Sequence, residues 1–204
     1  DVLFGDVNPS GKITMTFPRT VGQCPIYYNH KNNPRPVRAD RTSFKRYSSN
    51  WLDCPITPLY PFGYGLSYTE FDASYSVTND SDFITINANV KNIGNFCGKE
   101  VIQVYFEAPA SNMGSPSRQL VEFAKTKELA PSETEELTIR FQINQMASFD
   151  DSGITGNKSA YVLLEGDYRI YVGTDVRSAK CVFTYNVPSI KVTEQLSSAM
   201  APYI

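Results

Sequence analysis

Four separated stretches of this chain alternate apolar and polar residues with a period of two. Ile84, Ile86, Ala88 and Val90 interleave with Thr85, Asn87, Asn89 and Lys91. Ile102, Val104 and Phe106 repeat the pattern, as do Leu137, Ile139, Phe141 and Ile143 against Thr138, Arg140 and Gln142, and then Tyr168, Ile170 and Val172. Successive side chains of a strand point to opposite faces, so strict alternation describes a sheet with one face buried and one wet. The stretches are separated by short turn-forming clusters: Asn79-Asp80-Ser81-Asp82, Gly94-Asn95, Ala130-Pro131-Ser132 and Glu165-Gly166-Asp167. No helical periodicity competes. The expected fold class is mainly β: an antiparallel β-sandwich of immunoglobulin or fibronectin type III kind over residues 67–187.

The residues before this region read differently. Residues 1–66 hold 8 of the 13 prolines and carry 8 basic and 4 acidic residues, or +4. Residues 67–204 carry 11 basic and 17 acidic residues, or −6, which together give the net −2 of the chain. One strand is predicted here, Lys12-Ile13-Thr14-Met15-Thr16-Phe17, entered from the turn Asn8-Pro9-Ser10-Gly11 and stopped by Pro18. About 40 residues of weak periodicity follow, too long for a structureless loop inside a compact domain. Such a piece has to lean on another body, and 1–66 is expected to be the torn edge and arm of a larger domain. The chain opens on Asp1, not Met, and Asp1 to Asp6 reads like the inside of a folded domain, so an excised or processed piece is expected. The tail, 188–204, is expected to be a linker, or two helical turns over Val192–Met200 capped by Thr193.

Between the two parts lies Pro58-Leu59-Tyr60-Pro61-Phe62-Gly63-Tyr64-Gly65-Leu66-Ser67-Tyr68-Thr69, with two prolines, two glycines and four aromatic rings. Proline fixes φ and glycine admits positive φ, so the segment is a rigid irregular crossing, and its rings offer large contact area at little entropic cost.

Chemistry-bearing motifs are sparse. His30 is the single histidine, and no G-x-S-x-G or phosphate loop is present. Cys24, Cys54, Cys97 and Cys181 have neither zinc-ligand nor dense disulfide spacing and read as buried free thiols, with Cys97 and Cys181 in strand-like contexts. Neither metal nor cofactor is expected. The stretch His30 to Tyr47 carries Lys31, Arg35, Arg38, Arg41, Lys45 and Arg46 against Asp40, with Phe44 and Tyr47 interleaved. Pro34, Pro36 and the near-neutral total favour a basic surface loop, or a buried interdomain arm whose arginines pair with carboxylates of a missing partner, over a nucleic-acid surface. Asp6, Asp40 and Asp53 read as turn or cap residues. No apolar run reaches the roughly 18 residues of a membrane-spanning helix.

Read in order, four stretches resemble the C-terminal half of family 3 glycoside hydrolases of the β-glucosidase type. They are Asp1 to Lys12 with Thr16-Phe17-Pro18; Pro25-Ile26-Tyr27-Tyr28-Asn29-His30-Lys31; Pro58 to Thr69; and Pro116-Ser117-Arg118-Gln119-Leu120 with Phe123, Leu129-Ala130-Pro131 and Gly166 to Gly173. The resemblance implies the end of an α/β sandwich domain followed by a fibronectin type III-like domain. It also implies a retaining hydrolase of β-linked glucosides or related sugars, whose nucleophilic aspartate lies on a (β/α)8 barrel and whose acid/base lies on the α/β sandwich, the carboxylates about 5 Å apart. No barrel is present in this sequence, so no catalytic residue is carried onto it. The expected partners are the catalytic domains of a parent chain and, through them, its β-glucoside substrate. The run past the last strand is similar to the permuted members, in which a linker and the barrel follow.

Two uses of this chain are thus opposed. In one it braces the catalytic domains, with Tyr27, Tyr28 and Trp51 packing against the parent's missing core, as aromatics fill interdomain seams, in preference to stacking on sugar rings. The loop 107–118 is then an ordinary surface loop, or reaches a substrate rim or the second subunit of a homodimer. In the other it is a free-standing carbohydrate-binding or adhesive sandwich, presenting Tyr75, Tyr105 and Tyr171 as a stacking platform.

Overall fold

The computed structural model describes residues 1–31, 51 and 54–197. Ten strands build three antiparallel sheets: β1 (Phe71–Asn79), β2 (Phe83–Asn92), β3 (Val101–Glu107), β4 (Gln119–Lys125), β5 (Thr134–Gln142), β6 (Ser148–Asp150), β7 (Ala160–Leu163), β8 (Gly166–Gly173), β9 (Lys180–Val187) and β10 (Lys191–Gln195). One sheet has the order β1-β2-β5 and the facing one β4-β3-β8-β9; the third, β10-β7-β6, is smaller. Each alternating stretch in the sequence falls on a strand, save that Ile143 lies just past β5 in a short 3-10 turn, where it is still buried.

The core follows from the alternation. Ile84, Ile86, Ala88 and Val90 of β2 are wholly buried against Ile102, Val104 and Phe106 of β3, Ile139 and Phe141 of β5, and Tyr168, Ile170 and Val172 of β8. Register fixes these layers: Ile84 lies opposite Phe141, Ile86 opposite Ile139 and Ala88 opposite Leu137. Burying each large side chain stabilises the fold by about 1.5–3 kcal/mol, so slipping the β2–β5 pair by one residue would turn the whole set outward. The β1–β2 hairpin turns at Asp80, whose carboxylate accepts from the Asp82 and Phe83 amides, both at 2.8 Å.

Three expectations are corrected here. Lys12–Phe17 is not a regular strand. It meets the crossing at two places, Ile13 with Tyr64 and Gly63 (each 2.9 Å) and Phe17 with Leu59 and Tyr60, and bends between them at Thr14 and Met15. The opposing segment holds Pro61, which has no N–H to donate, and Gly63 at φ +80°, so a continuous ladder cannot form. The tail is neither helix nor bare linker over Lys191–Gln195, which pairs with β7 and so supplies partners to that edge. The cysteines are free but not buried: Cys24, Cys97 and Cys181 are exposed and Cys54 is half-buried; Cys97 lies in the β2–β3 connection and Cys181 in β9. Arg35, Arg38, Asp40, Arg41, Lys45, Arg46 and Asp53 lie outside the described residues.

Asp150, which the sequence did not single out, organises the loop after β6. Fully buried, it accepts from the Thr155 hydroxyl at 2.7 Å and from the amides of Gly153, Ile154 and Thr155 at 2.7–3.1 Å. The Thr155 hydroxyl first, and then those amides, hold its carboxyl below the ordinary 3.8, at about 2. A carboxylate depressed in the folded state adds stability above the unfolded value, and that contribution disappears as pH falls from about 4 through 2. Wild type is therefore expected to lose urea resistance over that window, and Asp150→Asn to show a lower but flatter acid limb. Urea midpoints measured from pH 5 to 2 check this; parallel limbs would contradict it.

Candidate functional site

β3 is buried on both faces. Ile102, Val104 and Phe106 enter the sandwich core, while Gln103 and Tyr105 point outward and are nonetheless 4% and 0% exposed. The cover is the arm and the crossing. Tyr28 stacks on Phe62 with centroids 4.1 Å apart and planes at 22°, and meets Tyr105 edge-on at 6.2 Å. Tyr105 and Tyr171 are register partners across β3 and β8, and with Ala179 they form a second apolar cluster to which Phe62, Tyr28, Leu120 and Val176 add.

Polar groups lock this seam. Gln103 Nε2 donates to the Gly63 carbonyl at 3.1 Å and to the Thr174 carbonyl at 2.6 Å, and Gln103 Oε1 accepts from the Tyr105 hydroxyl at 2.5 Å. Burial, more than any neighbouring charge, pushes the Tyr105 phenol well above its ordinary value, so it remains a proton donor to Gln103. The Val176 amide donates to the Phe62 carbonyl at 3.1 Å. At the rim the Arg118 guanidinium lies 3.3 Å over the Tyr171 ring, and the Tyr171 hydroxyl donates to Glu107 at 2.6 Å. Lys12 and Glu100 pair at 2.8 Å with both side chains about six-sevenths buried. Asn8 closes the near end: its Oδ1 accepts from Ser67 and from the Tyr68 amide, and its Nδ2 donates to the Cys97 carbonyl.

The loop 107–118 is neither free nor featureless. Lys31 bridges to Pro116, Lys31 Nζ donates to the Met113 carbonyl at 3.1 Å, and the Tyr28 hydroxyl accepts from the Leu120 amide where the loop enters β4. The arm thus fixes the loop.

The sequence-selected residues separate cleanly. Tyr28 and Tyr105 meet in the seam, whereas Tyr27 is exposed and Trp51 half-buried. Tyr75 packs against the sandwich core. Tyr105 and Tyr171 do line up, but beneath Tyr28 and Phe62, so these three tyrosines form no exposed platform. His30 is exposed and its Nδ1 lies 3.0 Å from the Lys31 carbonyl. Asp6 is exposed and lies 3.8 Å from the chain's terminal amine. Among the described residues there is no cluster of three His, Cys, Asp or Glu side chains fit for a metal ion. Two carboxylates at the seam's edge are engaged in holding it: Glu100 pairs with Lys12 and Glu107 accepts from the Tyr171 hydroxyl.

A second surface adjoins the first. An open cleft of about 730 Å³ is lined by Leu3, Phe4, Val7, Tyr68, Phe96 and Glu128, among others. Leu3 and Phe4 are about nine-tenths exposed and Phe96 is 61% exposed. Apolar side chains so concentrated mark a surface made to be covered. Sequence reasoning missed Phe96, because nothing in the local pattern distinguishes a loop phenylalanine that packs from one left in water.

Residues 1–68 match the glycosyl hydrolase family 3 C-terminal domain, and residues 100–176 match a fibronectin type III-like domain. A beta-glucosidase of Ruminococcus albus is 44% identical over 202 residues, which is 98% of this chain and 21% of that protein. The crystal structure of a beta-glucosidase from Paenibacillus barengoltzii superposes with a TM-score of 0.81 at 38% identity, over 99% of this chain and 23% of that one. The chain belongs to glycoside hydrolase family 3. A periplasmic beta-glucosidase of Salmonella typhimurium is 37% identical over 185 residues, 88% of this chain and 23% of that protein. The chain thus spans between a fifth and a quarter of the length of these relatives. In this family 3 chain the seam joins the two matched regions: Tyr28 and Phe62 come from the first, Gln103, Tyr105 and Tyr171 from the second.

Proposed function

We propose that this chain is the non-catalytic, bracing part of a retaining β-glucosidase-like hydrolase, and that the rest of the same polypeptide cleaves terminal β-linked glucosides. Residues 1–66 are the end and arm of its α/β sandwich domain, 67–187 its fibronectin type III-like domain and 188–204 the tail. The supporting observation is the stack of Tyr28 and Phe62 on Tyr105, locked by Gln103: a buried aromatic contact between two family-matched regions fixes their relative position. The names of the relatives supply the substrate class. The exposed Leu3–Phe4–Phe96 surface is where the remainder of the hydrolase would seat, since an apolar patch next to an existing seam extends it at no new cost in solvation.

On this reading the 204-residue chain turns over no aryl β-glucoside, while the longer polypeptide does. In that polypeptide, Phe96→Asp at the patch lowers the thermal midpoint of the catalytic region, and Phe123→Asp, on an exposed strand position away from the cleft, leaves it unchanged. Glucosidase activity of the isolated chain, measured with a chromogenic aryl glucoside, would sink the proposal.

A further inference from the structure

Each of the three sheets has two edges, and among the described residues five of the six edge strands are blunted. β4, β9 and β10 each carry an extra residue against the neighbouring strand, Val121, Val182 and Thr193, where the register slips. β6 is three residues long, and β5 bears Glu135, Glu136 and Arg140. Bulges, shortness and charge are the devices that keep an edge from pairing with another chain. β1 has none of them. It runs nine residues in unbroken register with β2, and its one charged residue, Asp72, stands near its end.

Two bonds fix which way the backbone of β1 faces. The Glu70 carbonyl accepts from the Ile93 amide at 2.8 Å, and the Asp80 amide donates to the Phe83 carbonyl at 3.0 Å. Both lie in the β1–β2 register, so the even-numbered residues between them turn N–H and C=O toward β2. Phe71, Ala73, Tyr75, Val77 and Asn79 turn theirs the other way, and no described residue hydrogen-bonds to those groups. The side chains of Phe71, Ala73, Tyr75 and Val77 pack on the core yet are only half-buried, whereas Ile84, Ile86, Ala88 and Val90 of β2 are wholly buried. The core thus runs out at β1 instead of being closed by it.

This edge is complementary to itself. Turned antiparallel about Tyr75, two copies of β1 set Phe71 opposite Asn79, Ala73 opposite Val77 and Tyr75 opposite Tyr75. Every residue in those pairs has outward backbone groups, so each pair exchanges two hydrogen bonds. On the wet face Ser74 comes opposite Ser76 and Asp72 opposite Thr78, so no like charges meet. The half-buried row Ala73, Tyr75, Val77 continues from one copy into the other. A twofold contact requires such a match of one surface with itself.

We propose that two copies of this chain pair through β1 in that register, forming a six-stranded antiparallel sheet of order β5-β2-β1-β1-β2-β5. The contact is one strand wide, so the dimer is weak and concentration-dependent.

The test follows sedimentation of the 204-residue chain, and of the longer polypeptide, from about 1 to 500 µM, the range over which a weak contact fills. A monomer–dimer equilibrium is expected in both. In the shorter chain, the amides of Ala73, Tyr75 and Val77 should gain protection from hydrogen exchange as concentration rises, while those of Ser74 and Ser76 are protected throughout. The double variant Ser74→Lys, Ser76→Lys sets lysines opposite each other twice and raises the dissociation constant about tenfold. Mixing it with Ser74→Glu, Ser76→Glu restores a dimer containing one of each. A chain that stays monomeric, or a dimer indifferent to these exposed substitutions, would overturn the proposal. So would protection of Ala73, Tyr75 and Val77 at every concentration, because the chain would then cover its own edge. A longer polypeptide that stays monomeric while the shorter chain dimerises would overturn it too, by assigning the edge to the remaining domains.

Discussion

Asn92→Ala is expected to cost about 4 kcal/mol of folding stability, close to the upper limit for a single substitution. The side chain is wholly buried at the end of β2 and uses every hydrogen-bonding site it has. Nδ2 donates to the Phe96 carbonyl at 2.8 Å and the Leu129 carbonyl at 2.9 Å; Oδ1 accepts from the Thr69 hydroxyl at 2.7 Å and the Gly94 amide at 3.1 Å. Alanine would strand the Thr69 hydroxyl and the Phe96 carbonyl, while the Leu129 carbonyl keeps the Gly98 amide and the Gly94 amide keeps the Glu70 carbonyl. Each stranded group costs about 1–3 kcal/mol if it stays buried, and partial entry of water beside exposed Phe96 keeps the sum below the full total. With a urea slope of about 2–3 kcal/mol per molar, the midpoint falls by about 1–2 M without a change in slope. Asn92→Asp preserves the shape but turns a carboxylate toward two carbonyl oxygens, so it should be no better. A midpoint within a few tenths molar of wild type for either variant would show that this hub does not secure the end of the crossing to the sandwich.

The sandwich was legible because its strands obey one local rule. Where a strand has one buried face, as β2 and β5 do, the apolar period in the sequence is the burial period in the structure. Ile84, Ile86 and Ala88 could be assigned inward before any contact was known. β3 shows where the rule stops. Its Ile102, Val104 and Phe106 gave the strand, but nothing local distinguishes Gln103 and Tyr105 from residues on a solvated face. They are buried by a segment some 40 and more residues upstream, through contacts that depend on where the chain crosses.

The misreadings have the same origin. Lys12–Phe17 has a strand's alternation, yet a strand needs a partner able to form a ladder, and Pro61 with Gly63 forbids one. The tail lacks alternation, yet becomes β10 because the edge of β7 offers unpaired backbone groups. The cysteines were assigned to the interior from their general tendency to be buried, which says nothing about a residue next to proline in an arm. Resemblance in the motifs, not periodicity, pointed to the parent hydrolase. Of the seam, the aromatic content of Pro58–Thr69 was visible in advance, and its partners Gln103, Tyr171 and Arg118 were not.

Gly63→Ala should separate the seam from the sandwich it covers. Gly63 sits at φ +80°, a conformation that costs an L-residue with a side chain about 1–2 kcal/mol. An added Cβ there would overlap Gln103 Oε1 and lie 2.9 Å from both Cδ and Nε2. Gln103 cannot easily retreat, because its amide also holds the Thr174 carbonyl and the Tyr105 hydroxyl. Overpacking against a fixed group adds about 1–3 kcal/mol, so the total loss is about 3 kcal/mol. The loss should be local. Hydrogen exchange is expected to accelerate at the Val176 amide, which bonds the Phe62 carbonyl, and at the Leu120 amide, which bonds the Tyr28 hydroxyl, while β2 amides such as Ile86 keep their protection. Gln103→Ala in the same chain would relieve the overlap but not the backbone strain, so the double variant should be less destabilised than the sum of the two single ones. Strict additivity would mean that the two side chains do not meet. Uniform acceleration over all strands would mean that seam and sandwich unfold as one unit, and the seam would then be part of the core it covers.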